Sequence, residues 1–108
     1  VTSSRVDLSE EAKGDLRDIE DWIVDHDGEM RAAAALERIW KAIYNLAFMP
    51  GIGRRGHSYL EAGSRVFPVP PWTIIYQPLP EDGGIFVQRI LDGRRDLAAI
   101  FKKKSPRR

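Results

Sequence analysis

Four arginines, Arg65, Arg89, Arg94 and Arg95, stand in or just after segments with the pattern of β-strands, and a fifth, Arg54, sits in a glycine-rich loop. A guanidinium carries its donors in a planar fork. Several brought together by neighbouring strands would grip phosphates or carboxylates in bidentate fashion. Arg89 has Val87 and Leu91 at the alternate positions of its segment, so packing alone does not explain it. Arg94 and Arg95 also have a structural reading, as ion-pair partners of Asp92, Asp96 or an acid of the first helix. An Arg89→Ala change is expected to reduce function while shifting stability by no more than about 1 kcal/mol.

Other residues that could do chemistry have simpler explanations. Asp15, Asp18 and Asp21 lie three apart and could share a helix face, but acid–base pairs need environments that push their pKa values apart. They are read as a solvated face. His26 and His57 have no partner at ligand spacing, so no metal site is expected. The run Gly51-Ile52-Gly53-Arg54-Arg55-Gly56 matches G-x-G-x-x-G, yet it follows a helix and precedes a loop, whereas the dinucleotide motif needs a strand before and a helix after. It is read as a flexible loop displaying Arg54 and Arg55, and no cofactor is expected. The basic end, Lys102 to Lys104 with Arg107 and Arg108, is a weak nucleic-acid signal. Trp22 and Trp40 are expected in the core and Trp72, after two prolines, partly exposed.

The elements that must position these groups can be traced along the chain. Residues 3–8 alternate weakly and suggest a short first strand. Ser9 has the character of a helix N-cap, with Glu10 and Glu11 favoured in the first turn by the helix dipole. Ala12, Leu16, Ile19 and Ile23 then make one apolar stripe, and Asp27-Gly28 ends the helix. A second helix is expected from Glu29 to Phe48, with Ala33, Leu36, Ile39, Trp40, Ile43 and Leu46 or Ala47 inward, stopped by Pro50-Gly51. Residues 50–64 are read as loop. Strands are expected at Arg65–Val69, Trp72–Gln77 and Ile85–Leu91, with turn residues at Pro80 to Gly84. Prolines 68, 70 and 71 make the first of these unsuited to a central position. A short helix over 95–103 would close the fold, and residues 105–108 form a frayed basic tail. The expectation is one α+β domain over residues 1–104: a helical hairpin packed on a small antiparallel sheet, in the order β-α-α-β-β-β.

The chain has 108 residues and a net charge of +1, which hides an asymmetry. Residues 1–27 carry nine acids and three bases, whereas residues 54–108 carry eleven bases and five acids. The basic half is therefore the expected working surface. With no cysteine, disulfides, thiolate metal sites and a cysteine nucleophile are excluded. No apolar run approaches the roughly 20 residues that cross a membrane. The first eleven residues lack the apolar region of a secretion signal, and a cytoplasmic location is expected.

Five motifs in register resemble the ParE/RelE superfamily of type II toxins, more closely its ParE branch. Ala12, Asp15-Leu16, Ile19 and Trp22-Ile23 follow its first-helix pattern. Pro50, Ile52, Gly53 and Arg54 follow its P-x-I-G-R loop, Arg65 its strand-opening arginine, and Ile74-Ile75-Tyr76 its I-I-Y strand. The segment Arg89 to Asp96 resembles its closing R-V-L-H-G-R-R-D, with Asp92 in place of the common histidine. The resemblance implies a toxin neutralised by a cognate, ParD-like antitoxin in a hetero-oligomer. ParE-like members inhibit DNA gyrase without catalysis; RelE-like members cut messenger RNA on the ribosome. Neither tyrosine nor histidine follows Asp92, which favours the gyrase inhibitor, with Arg54, Arg65, Arg89, Arg94 and Arg95 as binding residues. The alternative is the endoribonuclease, with Arg65, Tyr76 and Arg89 as candidates. A third is an interaction domain without toxicity.

Overall fold

The computed structural model describes residues 5–92. The expected helix over 95–103, the basic tail, and Arg94 and Arg95 lie outside them.

Strand β1 is Arg5–Leu8, followed by helices α1 at Glu10–Asp27 and α2 at Glu29–Phe48. Ser9 caps α1 as its residue type requires: its backbone is extended and its Oγ accepts from the Ala12 N–H at 2.9 Å. Gly28 alone joins the helices. Its φ of 93° is one that a side chain disfavours, and its N–H closes α1 on the carbonyls of Ile23 and Val24. So short a joint forces the helices to pack as a hairpin.

Four more strands follow: β2 at Arg54–Arg55, β3 at Arg65–Val69, β4 at Trp72–Pro78 and β5 at Gly84–Asp92. The five form one sheet in the order β1-β5-β4-β3-β2. It is mixed rather than antiparallel, because β1 runs parallel to β5. Antiparallel pairing is imposed only by short hairpin connections; β1 and β5 are separated by both helices and three strands, which permits a parallel neighbour. The two-residue β2 was read as loop. It covers only Arg65 and Val66 of β3, so the stretch holding Pro68 is an outer edge where a missing N–H costs no ladder bond.

Both helices lie on one face of the sheet. Ala12, Ile39, Ile43 and Leu46 pack there against Ile74, Tyr76, Ile85, Val87 and Ile90. The loop after β2 covers the other face, where Leu60 meets Ile75 and Leu91. The β4–β5 register slips between Ile75 and Tyr76, which pair with Arg89 and Val87 and leave Gln88 extra. That bulge breaks the strict alternation assumed for β5, so Val87 joins the helix-side core and Leu91 the loop-side cluster.

Two helix expectations shift. The inward stripe of α2 begins at Ala32 and Ala35, not Ala33 and Leu36: Ala33 is exposed and Leu36 half-buried. The small side chains of Ala32 and Ala35 let α2 approach Ile23 of α1. Trp22, expected in the core, is 58% exposed on the flank of α1 and stacks on His26. Trp40 packs against the core and Trp72 is half-buried.

Candidate functional site

The arginines fall into two groups with different employment. Arg54 and Arg55 form the edge strand β2 and are exposed. Arg65 stands opposite Arg55 in the ladder. Its Nη1 donates to the Gly53 carbonyl at 2.6 Å and reaches the Gly51 carbonyl at 3.4 Å. Beneath this turn lies Tyr76, fully buried, whose hydroxyl donates to the Pro50 carbonyl at 2.7 Å and accepts from the Gly53 N–H at 2.9 Å. Burial pushes the phenol above its ordinary value, against smaller opposing effects of the Gly53 hydrogen bond and the Arg65 charge.

These contacts explain the P-x-I-G-R spacing. A Cβ on Gly53 would collide with the Tyr76 ring and the Val66 carbonyl, so only glycine lets the turn lie on β4. Gly56 opens the following loop, which its N–H closes on the Ser64 carbonyl at 2.8 Å. The stretch read as a flexible loop is thus braced, and two of its glycines, Gly53 and Gly56, answer to packing, whereas Gly51 has open space around it.

Arg89 is employed inside the fold. Its Nε and Nη2 donate to the Asp15 carboxylate at 2.9 and 3.0 Å, and the same carboxylate accepts the Ile90 N–H at 2.9 Å. Both side chains are largely buried, at 17% and 12% exposure. The bond to Asp15 is the chief reason the guanidinium is held above its ordinary value. Asp15 therefore leaves the solvated face assigned to it: its helix turn faces the part of β5 that β1, ending opposite Val87, does not cover. Ser9 serves the same edge, its N–H donating to the Val87 carbonyl and its Oγ to that of Gln88. Arg89 reaches a carboxylate of the first helix, the partnership considered above for Arg94 and Arg95.

Tyr76, named as a nuclease candidate, has no face open to a substrate, and both roles of its hydroxyl are spent on Pro50 and Gly53. The exposed His57 stacks on Tyr59. Among the described residues, no three metal-ligating side chains cluster.

The surface carries two apolar features that the sequence reading missed. One is a cleft of about 350 Å³ between α1 and the sheet, lined by Ile19, Trp22, Ile23, Pro71 and Trp72 among others. The other is a patch at the C-terminal end of α2, where Tyr44, Phe48, Met49 and Ile52 are 54%, 72%, 61% and 44% exposed. Its signal in the sequence was apolar residues off the inward stripe, running past the helix end.

Comparison with known proteins supplies a frame for this geometry. Residues 6–97 match the family model described as the ParE toxin of the parDE type II toxin–antitoxin system. The chain is 37% identical over 101 residues to toxin ParE3 of Caulobacter vibrioides, covering 94% of this chain and 98% of that protein. Its fold is similar to a chain from the chromosomal ParDE toxin–antitoxin system of P. aeruginosa, with a TM-score of 0.68 at 22% identity, covering 81% of this chain and 92% of the other.

Proposed function

Since the chain belongs to the ParE toxin family of type II toxin–antitoxin systems, we propose that it arrests growth by binding and inhibiting DNA gyrase, without catalysis, until a cognate ParD-like antitoxin neutralises it. The observation that carries this reading is how the groups that a nuclease would need are used. Tyr76 is buried and holds the turn at Pro50 and Gly53. Arg65 braces the same turn and Arg89 is clamped by Asp15. General acid–base cleavage needs a group that can give and take a proton at the reacting atom. These three instead hold the fold together, and Arg54 and Arg55 are left exposed to bind. Among the described residues no helix is long and apolar enough to cross a membrane. The cytoplasm, where gyrase works, is the proposed location.

The test is inducible expression in bacteria, with supercoiling by purified gyrase measured beside mapped messenger RNA ends. Growth arrest with lost supercoiling and uncut messages supports the reading. Site-specific cuts with intact supercoiling would establish the endoribonuclease instead, and normal growth the non-toxic interaction domain.

A further inference from the structure

We infer that the hollow formed by the loop over residues 55–65 is a phosphate-binding site that takes a single strand of DNA. That the strand is DNA rests on the gyrase reading above; that the site binds backbone phosphate does not. The hollow is open, with a volume of about 690 Å³, and one continuous stretch of chain lines it, from Arg55 to Arg65. Its shape is fixed from inside the fold. The Gly56 N–H meets the Ser64 carbonyl across its base, and Leu60 is anchored on Ile75 and Leu91. Ser64 Oγ donates to Gln88 Oε1 at 2.9 Å, and Gln88 Nε2 donates to Glu61 Oε1 at 3.0 Å. Gln77 Nε2 donates to the Ala62 carbonyl at 2.9 Å. The extra residue of the β5 bulge thus holds the far arm of the loop, so a ligand has little ordering left to impose.

Its charge calls for an anion. Arg55 and Arg65 are direct partners in the β2–β3 ladder, so their side chains leave the sheet on the same face with Cβ atoms roughly 5 Å apart. That placement is unfavourable for two cations alone. A phosphate between them turns the repulsion into a two-sided, charge-assisted grip. Among the described residues, neither they nor the exposed Arg54 beside them has a carboxylate at ion-pair distance. Arg65 commits Nη1 to the Gly53 carbonyl, and its Nε and Nη2 have no hydrogen-bond partner among the described residues. Glu61 is the one acid lining the hollow, and Gln88 holds its carboxylate. Ser58, exposed on the same wall, adds a hydroxyl that has no hydrogen-bond partner among the described residues. An isolated phosphate would leave His57 unused. This exposed residue lines the hollow and stacks on Tyr59, with 5.3 Å between ring centroids and 13° between planes. A ring backed on one side offers its other face to an unstacked base. Cations for the backbone beside a ring for a base hold a single strand; in a duplex the base faces are already covered.

The experiment titrates purified chain into a fluorescein-labelled single-stranded oligodeoxynucleotide and reads anisotropy, beside the matching RNA, the duplex and a labelled polyglutamate peptide. The variants are Arg55→Ala, Arg55→Glu, His57→Ala and Arg5→Ala, all at exposed side chains, with melting curves to check that the fold is kept. Arg55→Ala is expected to weaken binding at least about 10-fold and to flatten the slope of log affinity against log salt by about 0.7, one phosphate contact. Arg55→Glu should weaken it further. His57→Ala should cost at least about 5-fold with the salt slope unchanged. Arg5→Ala removes the same charge at the opposite edge of the sheet. Four strand spacings, roughly 19 Å, exceed the screening length of about 8 Å at physiological salt, so its affinity should stay within about 2-fold of wild type. No DNA binding by the wild-type chain, or equal losses in Arg55→Ala and Arg5→Ala, would overturn the inference. So would tighter binding of the RNA, the duplex or polyglutamate than of the single-stranded DNA, each of which assigns the site to a different partner. Supercoiling assays keep the two readings apart. A chain that inhibits gyrase but binds no DNA sinks this inference alone; one that binds DNA through Arg55 but leaves gyrase active sinks the gyrase reading, and the site stands.

Discussion

Asp15 of α1 clamps Arg89 of β5 across 74 residues of chain, taking both guanidinium donors while accepting the backbone N–H of Ile90. One carboxylate thereby serves as ion-pair partner and as substitute for a missing strand. Removing it leaves a buried cation and an unsatisfied N–H, each costly. Asp15→Ala is expected to lower the unfolding free energy by about 3 kcal/mol, and Arg89→Ala by about 2 kcal/mol. In a urea-denaturation cycle the double variant should cost less than the sum, with a coupling of about 1–2 kcal/mol. Any loss of toxicity in Arg89→Ala must therefore be judged beside its stability.

Tyr76 makes the fold sensitive to alkali. Its phenol is raised above the ordinary 10.0 in the folded chain. A proton held more tightly when folded stabilises fully below the unfolded pKa, and that contribution is lost as pH rises through the folded value. Stability should fall as pH climbs beyond about 10, while Arg89, held higher still by Asp15, keeps its charge. Tyr76→Phe should cost about 1–2 kcal/mol at neutral pH, because the Gly53 N–H loses its acceptor, and should flatten the alkaline decline. Denaturation midpoints from pH 7 to about 11 check both effects.

Gly53→Ala is expected to destabilise by at least about 2 kcal/mol, since the new methyl meets the Tyr76 ring and the Val66 carbonyl and neither can retreat. Pairing it with Tyr76→Phe should recover little, because Val66 still blocks the way. Thermal melts of the two single variants and the double variant decide this.

Gly84→Ala attacks the other end of the sheet. Gly84 has a φ of 110°, and a Cβ there would run into the backbone of Arg5. The expected result is a loss of at least about 2 kcal/mol, with faster amide exchange in β1 than in β3 or β4.

Much of this was legible from local pattern. The Ser9 cap, the joint at Gly28, both helices and the strands around Ile74 and Ile90 follow from residue type and period, which depend on near neighbours only. The missed features depend on distant ones. The first-helix pattern marks Asp15 but gives no role that separates it from Asp18 or Asp21; it is singled out because its turn faces the uncovered edge of β5. The bulge at Gln88 exists only as a mismatch between two strands. The parallel place of β1 likewise depends on where β5 ends up. At the candidate site, the arginines were recognisable as chemical types. Which of them would be spent on architecture was not, because Asp15 and the carbonyls of Gly51 and Gly53 claim them only once the chain is folded.

The adjacency of β1 and β5 has a consequence for how the protein comes into being. Synthesis delivers β1, the Ser9 cap and Asp15 first, yet their partners at Gly84–Val87, Gln88 and Arg89 come some 75 to 80 residues later. Closing loops that long is slow and weakly rewarded until the whole sheet is present. A nascent chain on the ribosome can form its helical hairpin early, but the frame that supports the turn at Gly53 and the arginines beside it waits for β5. The sheet is thus completed only once β5 has been made, long after the helical hairpin has all of its own residues.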